Sequence, residues 1–109
     1  DVSSVNAYVA KDLAELRFAF PQDADFATAA NAVARELARA LSALWTWGSA
    51  LEHGLTGWRR SAYASAPGIT ADLRLIFRPR DGGGIDLLMF GLRYHLDTTS
   101  IYHTAATRL

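Results

Sequence analysis

The chain has no cysteine and only one lysine, Lys11, among its 109 residues. The missing thiols exclude a disulfide framework, a thiolate nucleophile and thiolate metal ligands. No run approaches the ~18 uninterrupted apolar residues of a membrane-spanning helix. The opening DVSSVNAYVAKD lacks the basic stretch and apolar core of a secretory signal. The expected setting is therefore the cytoplasm, with no membrane contact. His53, His95 and His103 stand at no metal-ligand spacing and no HExxH accompanies them, so no metal is expected. Gly82-Gly83-Gly84 lacks the Lys-Ser/Thr pair of a phosphate-binding P-loop. No serine sits in a nucleophile-elbow sequence. The sequence calls for no cofactor.

What is present is a chain that is 50% hydrophobic, which excludes a disordered segment and fits one domain over 1–109. The formal net charge is zero but unevenly spread. Residues 1–56 carry four basic and seven acidic side chains, net −3. Residues 57–109 carry seven arginines and four acids, net +3. A local basic surface can bind phosphates on a neutral molecule, and the guanidinium fork matches a phosphate bidentately. An asymmetry of this size is also common in short chains.

Residues 14–20 alternate as Leu16, Phe18 and Phe20 around Arg17 and Ala19, which predicts a first strand after an unplaced leader over 1–13. Pro21 ends it, and Asp23 or Asp25 caps the next element. Phe26, Ala29, Ala30, Val33, Leu37, Leu41, Leu44 and Trp45 form an i, i+3/i+4 stripe, predicting one long helix from Phe26 to about Trp47. Gly48 stops it. RRSAYASAPGITA, 59–71, reads as a loop with a short strand around Tyr63. DLRLIFR alternates, Asp81–Gly84 turns, and IDLLMFGLRYH is apolar on both faces, as a central strand is. IYHTAATRL reads as a last short strand or a terminal helical turn. The layout is α+β, a small antiparallel sheet with the helix packed on one face.

The hairpin register follows from sorting. With 81–84 as the loop, Arg80 faces Ile85, Arg78 faces Leu87, Ile76 faces Met89 and Arg74 faces Gly91. One side then collects Leu73, Leu75, Phe77, Leu88, Phe90 and Leu92; the other collects Arg74, Ile76, Arg78, Leu87, Met89, Gly91 and Arg93. A one-residue slip destroys that sorting. Arg74 and Arg93 are expected together on an open face, with Gly91 leaving room for a ligand backbone. The plainer reading is that strand arginines are solvated and the glycine bends the strand.

LRLIFRP, a turn, IDLLMFGLR and IYHTAATRL together resemble the C-terminal half of RelE/ParE-superfamily toxins. That family carries a central strand arginine, then a Gly-x-Arg strand end, then a tyrosine, an alanine and a basic residue; here these are Arg74, Gly91 with Arg93, Tyr102, Ala105 and Arg108. LEHGLTGWRR is similar to the family's segment between helices and sheet. The resemblance covers roughly 45–109 and, more weakly, 26–44. It implies a RelE/ParE-like fold of the microbial-RNase kind. It also implies a toxin-antitoxin endoribonuclease that cuts mRNA without metal, with the ribosome positioning the substrate and an antitoxin covering the basic face. The chain departs from the family in reading as one long helix where the family has a helical hairpin. It also has a longer loop at 94–100, no net positive charge, and none of the lysines that assist some members. A ParE-like inhibitor of DNA gyrase and a catalytically inactive interaction module are the alternatives.

Cleavage of RNA without metal needs a base for the 2′-OH proton, cations for the phosphorane charge and an acid for the leaving 5′-oxygen. The resemblance assigns Arg74 and Arg93 as the phosphate cations and Tyr102 as a further catalytic residue. His95 and His103 are imidazoles, the side-chain type suited to proton transfer near neutral pH, and Glu52 resembles the glutamate some relatives carry at the helix exit. Arg59, Arg60 and Arg78 are added phosphate contacts. Each has a structural alternative: Tyr102 as an amphipathic core residue, the histidines and Glu52 as solvated surface groups. Trp45, Trp47 and Trp58 can stack bases or pack near the helix end.

Overall fold

A computed structural model describes residues 2–94 and 99–109. Three helices, α1 (Val2–Ala19), α2 (Asp23–Ala43) and α3 (Ile101–Thr107), accompany four strands, β1 (Ser49–Ala50), β2 (Arg59–Tyr63), β3 (Leu73–Pro79) and β4 (Ile85–Leu92). The strands form one antiparallel sheet in the order β1-β2-β3-β4. The α+β class stands, with 3-10 turns at Leu44–Thr46 and His53–Leu55.

The expected strand at 14–20 gives way to the helix α1, which runs through the expected leader from Val2 to Ala19. Its helical period wins because Asp12 and Leu16, with half-buried Val9 and Phe20, fall on the side facing β4, whereas Phe18 is 74% exposed and the 16/18/20 alternation is not used. Pro21 ends the first helix, and Asp23 and Asp25 lie in the first turn of α2, where the helix dipole favours acids. Arg17 reaches Asp23 at 2.6 Å across this short turn. The second helix starts three residues earlier and stops four earlier than expected, and its buried side is Ala29, Ala32, Val33, Glu36 and Ala40. Of the expected stripe Ala29 and Val33 are buried, Phe26 and Leu37 are half-buried, and Leu41 and Trp45 are exposed, because the side facing the sheet runs through the small residues. Two helices thus precede the sheet, not one.

The hairpin keeps the expected register at Arg74↔Gly91, Leu75↔Phe90 and Ile76↔Met89. Beyond Ile76 a bulge absorbs Leu88, so Phe77 faces Leu87, Arg78 faces Asp86 and Pro79 faces Ile85. The turn is correspondingly longer, closed by Arg80 N–H donating to the Gly84 carbonyl at 2.9 Å. The bulge sends Leu87, not Leu88, to the helix side with Leu73, Leu75, Phe77 and Phe90. The 59–63 part of the expected loop is the full strand β2, paired residue for residue with β3 from Arg59↔Phe77 to Tyr63↔Leu73.

The second face of the sheet is not open. Leu88, Met89 and Ile76 pack with Ile101 and Ala105 of α3 and with Leu55 and Trp58 from the turn before β2. The C-terminal segment is therefore a helix laid across the sheet. Ser100 caps it, its hydroxyl accepting from the Tyr102 N–H at 3.2 Å. A buried ion pair locks it down. Arg108 Nη2 meets Asp12 Oδ1 of α1 at 2.6 Å with both side chains at most 5% exposed, while Arg108 Nη1 also donates to the Leu88 carbonyl at 2.9 Å. Asp12 further accepts the Phe90 N–H at 3.1 Å, so the pair seals part of the outer edge of β4.

Candidate anion site

Arg74 lies mid-sheet on β3, on the side covered by α3, and is 8% exposed. This corrects the expected open face: α3 covers this side of the sheet, with Ile101 over Gly91, the cross-strand partner of Arg74. Its Nη1 donates to the carbonyls of Ala71 and Leu73, both at 3.0 Å, and its Nε is buried without a partner. Among the described residues no carboxylate pairs with it. A buried guanidinium held only by neutral carbonyls is costly and selects for an anion.

Ala71, whose carbonyl accepts from Arg74, lines a cavity of about 350 Å³ with Asp72, Leu92, Arg93 and Tyr94, and Arg74 itself lies behind that lining. Arg93 is the first residue past β4, and its N–H donates to the Asp72 carbonyl at 3.0 Å, continuing the ladder. Its exposed guanidinium lies 5.3 Å from the Tyr94 ring centroid. Asp72 turns its carboxylate to Ser65, accepting from the backbone N–H at 2.8 Å and the hydroxyl at 2.7 Å. Its charge is thereby engaged by Ser65, while Arg74 and Arg93 share this end of the sheet.

The other candidates scatter. Tyr102, half-buried on α3, accepts from Arg60 Nη1 at 3.2 Å, so this pair bridges β2 and α3. Arg59 is a staple, not a loop contact: its Nε donates to the Trp47 carbonyl at 2.8 Å and its Nη2 to that of Gly48 at 2.9 Å. Arg78 stacks 4.4 Å over Trp58 and meets Asp86 at 2.9 Å, while Arg80 meets the same carboxylate at 2.6 Å. The hydrogen bond from Arg78, helped by Arg80, holds the Asp86 carboxyl below the usual aspartate range. Glu52 and His103 are exposed. His95 lies outside the described residues. Trp47 donates to Glu36 at 2.8 Å and Trp58 is buried, leaving only Trp45 of the three tryptophans broadly exposed.

Two buried acids escaped the sequence reading, Asp12 and Glu36. Each is a charged residue on an apolar helical stripe: Asp12 lies between Val9 and Leu16, Glu36 between Val33 and Ala40. That signal was available. Among the described residues no three histidine or acidic side chains gather as metal ligands, and no helix is long and apolar enough to cross a membrane. No family profile, curated protein or solved structure matches the chain.

Proposed function

We propose that this chain is a RelE/ParE-like toxin domain that cleaves mRNA, with an RNA phosphate held by Arg74 and Arg93 at the cavity beside Ala71 and Tyr94. The observation that carries the reading is Arg74, a buried cation whose bonds go to neutral carbonyls and whose Nε has no partner. Local rules are broken mainly where function requires it. The helical hairpin ahead of the sheet supports the reading by removing one departure from the family pattern. The guanidinium groups stabilise the charge that builds on the phosphorane as the 2′-oxygen attacks and the 5′-oxygen leaves. Tyr102 is the proton-handling candidate, its hydroxyl accepting from Arg60 Nη1 at 3.2 Å. The proposed setting is the cytoplasm, with the ribosome positioning the message and an antitoxin covering the Arg93 end.

The test is a bacterial translation extract with mapping of mRNA 5′ ends. Discrete new ends with the unaltered chain, absent with Arg93→Ala and Arg74→Met, support cleavage. Intact message with arrested growth and lost gyrase supercoiling activity supports the second reading, a non-cleaving ParE-like inhibitor. The engagement of Tyr102 by Arg60, away from the carbonyl-held Arg74, is what favours that alternative.

A further inference from the structure

The edge strand β1 is only two residues long, covering Arg59 and Arg60 of β2 and nothing beyond. The chain leaves this lane at Gly48, whose φ of +71° suits glycine and where a Cβ would collide with the Arg60 carbonyl oxygen. Yet β2 runs on to Tyr63. Backbone groups alternate in direction along a strand. Leu51 N–H donates to the Trp58 carbonyl at 2.9 Å, which sets residues 58, 60 and 62 toward the β1 lane. Ala62 therefore directs its N–H and C=O into an unfilled lane, and Ala64 follows it.

Two cavities lie along this seam between α2 and β2. One, about 340 Å³, is lined by Glu36, Trp47, Gly48, Arg60, Ser61 and Ala62 among others. The next, about 230 Å³, is lined by Ala32, Arg35, Arg39, Tyr63, Ala64 and Ala66 among others. Alanines at 32, 62, 64 and 66 keep the seam wide. Inside it, the Ser61 and Tyr63 hydroxyls are buried without a hydrogen-bond partner, although both residues are at least nine-tenths buried. Orphaned buried hydroxyls are rare in a finished structure. Arg35 and Arg39 of α2 stand beside the single carboxylate of Glu36, which already accepts from Arg39 and Trp47, whereas Arg60 lines the seam with its guanidinium turned to Tyr102 on the α3 side.

We propose that this seam docks an extended acidic segment of a partner polypeptide, which enters the lane β1 vacates and adds a strand to β2 at Ala62 and Ala64. Main-chain bonds to the open edge supply affinity, and alternate side chains reach the seam, where its arginines select acidic residues. A second copy of this chain does not fit. The open stretch from Ala62 to Ala64 spans roughly 10 Å, too short an edge to bury the ~1,200 Å² of a stable dimer. The two copies would also bring like-charged arginines together. Ala62 is the cross-strand partner of Arg74, but the lane opens on the edge of β2 that faces away from β3, and the peptide readouts do not depend on RNA cleavage.

The experiment uses fluorophore-labelled eight-residue peptides of alternating valine and glutamate, with a valine–lysine peptide as control, followed by anisotropy. The acidic peptide is expected to bind, and the basic one to bind at least tenfold more weakly. Ala62→Pro removes an N–H that faces away from β3 and so leaves the β2–β3 ladder intact; it should weaken binding tenfold or more without changing the melting temperature by more than a few degrees. Arg35→Glu should weaken it several-fold. On the unaltered chain, bound peptide should slow amide exchange at Ala62, a readout that stands even if Ala62→Pro fails to fold. Equal binding of the two peptides, undiminished binding to well-folded Ala62→Pro, or unchanged Ala62 exchange overturns the proposal. So does a concentration-dependent dimer that Ala62→Pro abolishes, or inorganic phosphate alone displacing the peptide completely.

Discussion

Two buried arginines, 34 positions apart in the chain, are treated in opposite ways. Arg108 meets the two oxygens of Asp12 at 2.6 and 2.9 Å, donates to the Leu88 carbonyl and lies 4.5 Å over the Tyr8 ring. Arg74 has two carbonyls, an orphaned Nε and no carboxylate among the described residues. Both guanidinium side chains are largely removed from solvent, so the difference lies in the counter-ion. A buried cation with its own anion is part of the frame that joins α1, β4 and α3. A buried cation without one leaves room for an anion from outside. Perturbed, under-satisfied charges gather at functional sites for this reason.

The largest expected effect is on the frame. Asp12→Ala leaves Arg108 buried and unpaired and strips the Phe90 N–H of its acceptor. It should cost about 3–5 kcal/mol of stability, read as a large fall in the denaturation midpoint. Replacing both partners together, Asp12→Leu with Arg108→Met, should recover most of that loss, since an apolar pair of similar volume often substitutes for a buried ion pair. A double variant as unstable as the single one would mean that Asp12 acts through the β4 edge alone.

Arg74→Met should behave in the opposite sense. It removes a buried charge with no carboxylate to orphan, so melting should hold or rise. RNA cleavage should nevertheless fall a hundredfold or more, as when a transition-state donor worth about 2.7–4 kcal/mol is lost. Arg108→Met, in contrast, should lower the melting temperature. If Arg74→Met melts as early as Arg108→Met, the distinction between frame and site is wrong.

A smaller effect should appear with inorganic phosphate. Binding at the Arg74–Arg93 end stabilises the native chain by RT ln(1 + [L]/Kd), about 1.4 kcal/mol at ten times Kd. Thermal melting at constant ionic strength should show this shift in the unaltered chain and in Arg80→Ala, and lose it in Arg74→Met and Arg93→Ala. Equal shifts in all four would point to diffuse charge.

The smallest effect concerns the hairpin tip. The folded-state pKa of Asp86 is depressed, so its stabilisation is present above the ordinary aspartate value of 3.8 and is lost as pH falls through the lower, folded value. Arg78 and Arg80 are nearly half exposed, so after solvent screening the contribution is under about 1 kcal/mol. Asp86→Asn should melt slightly below the unaltered chain at neutral pH, and the gap should close in strong acid. A gap that persists at low pH would locate the effect in strand pairing instead of charge.

Much of the hairpin was legible in the residues because period-two sorting and a glycine-rich turn are local. The pairing of Arg74 with Gly91 came from the alternation of leucines and phenylalanines, and it holds. The bulge at Leu88 did not show, because consecutive leucines at 87 and 88 satisfy either face equally well. The first helix was hidden for a similar reason: Leu16, Phe18 and Phe20 fit a strand, and only packing against β4 decides which of them is buried. Arg59 and Arg78 carry the right charge for a phosphate. Their engagement by Trp47, Gly48, Trp58 and Asp86 depends on neighbours up to 20 positions away.

By itself, then, the amino-acid order determined the α+β class, a helix over most of 26–47, the turn after Arg80 and the central register of β3 with β4. The helix and turn rest on side chains within a few positions of one another, and the register on alternation in two strands joined by that turn. Tertiary structure alone decided which side of the sheet is covered and which arginine keeps a counter-ion. Asp12 and Arg108 are 96 positions apart, and their union carries α3 over the face that holds Arg74. No periodicity encodes such a pairing. It arises because two charges leave water together when the helices close on the sheet, while among the described residues Arg74 has no carboxylate partner.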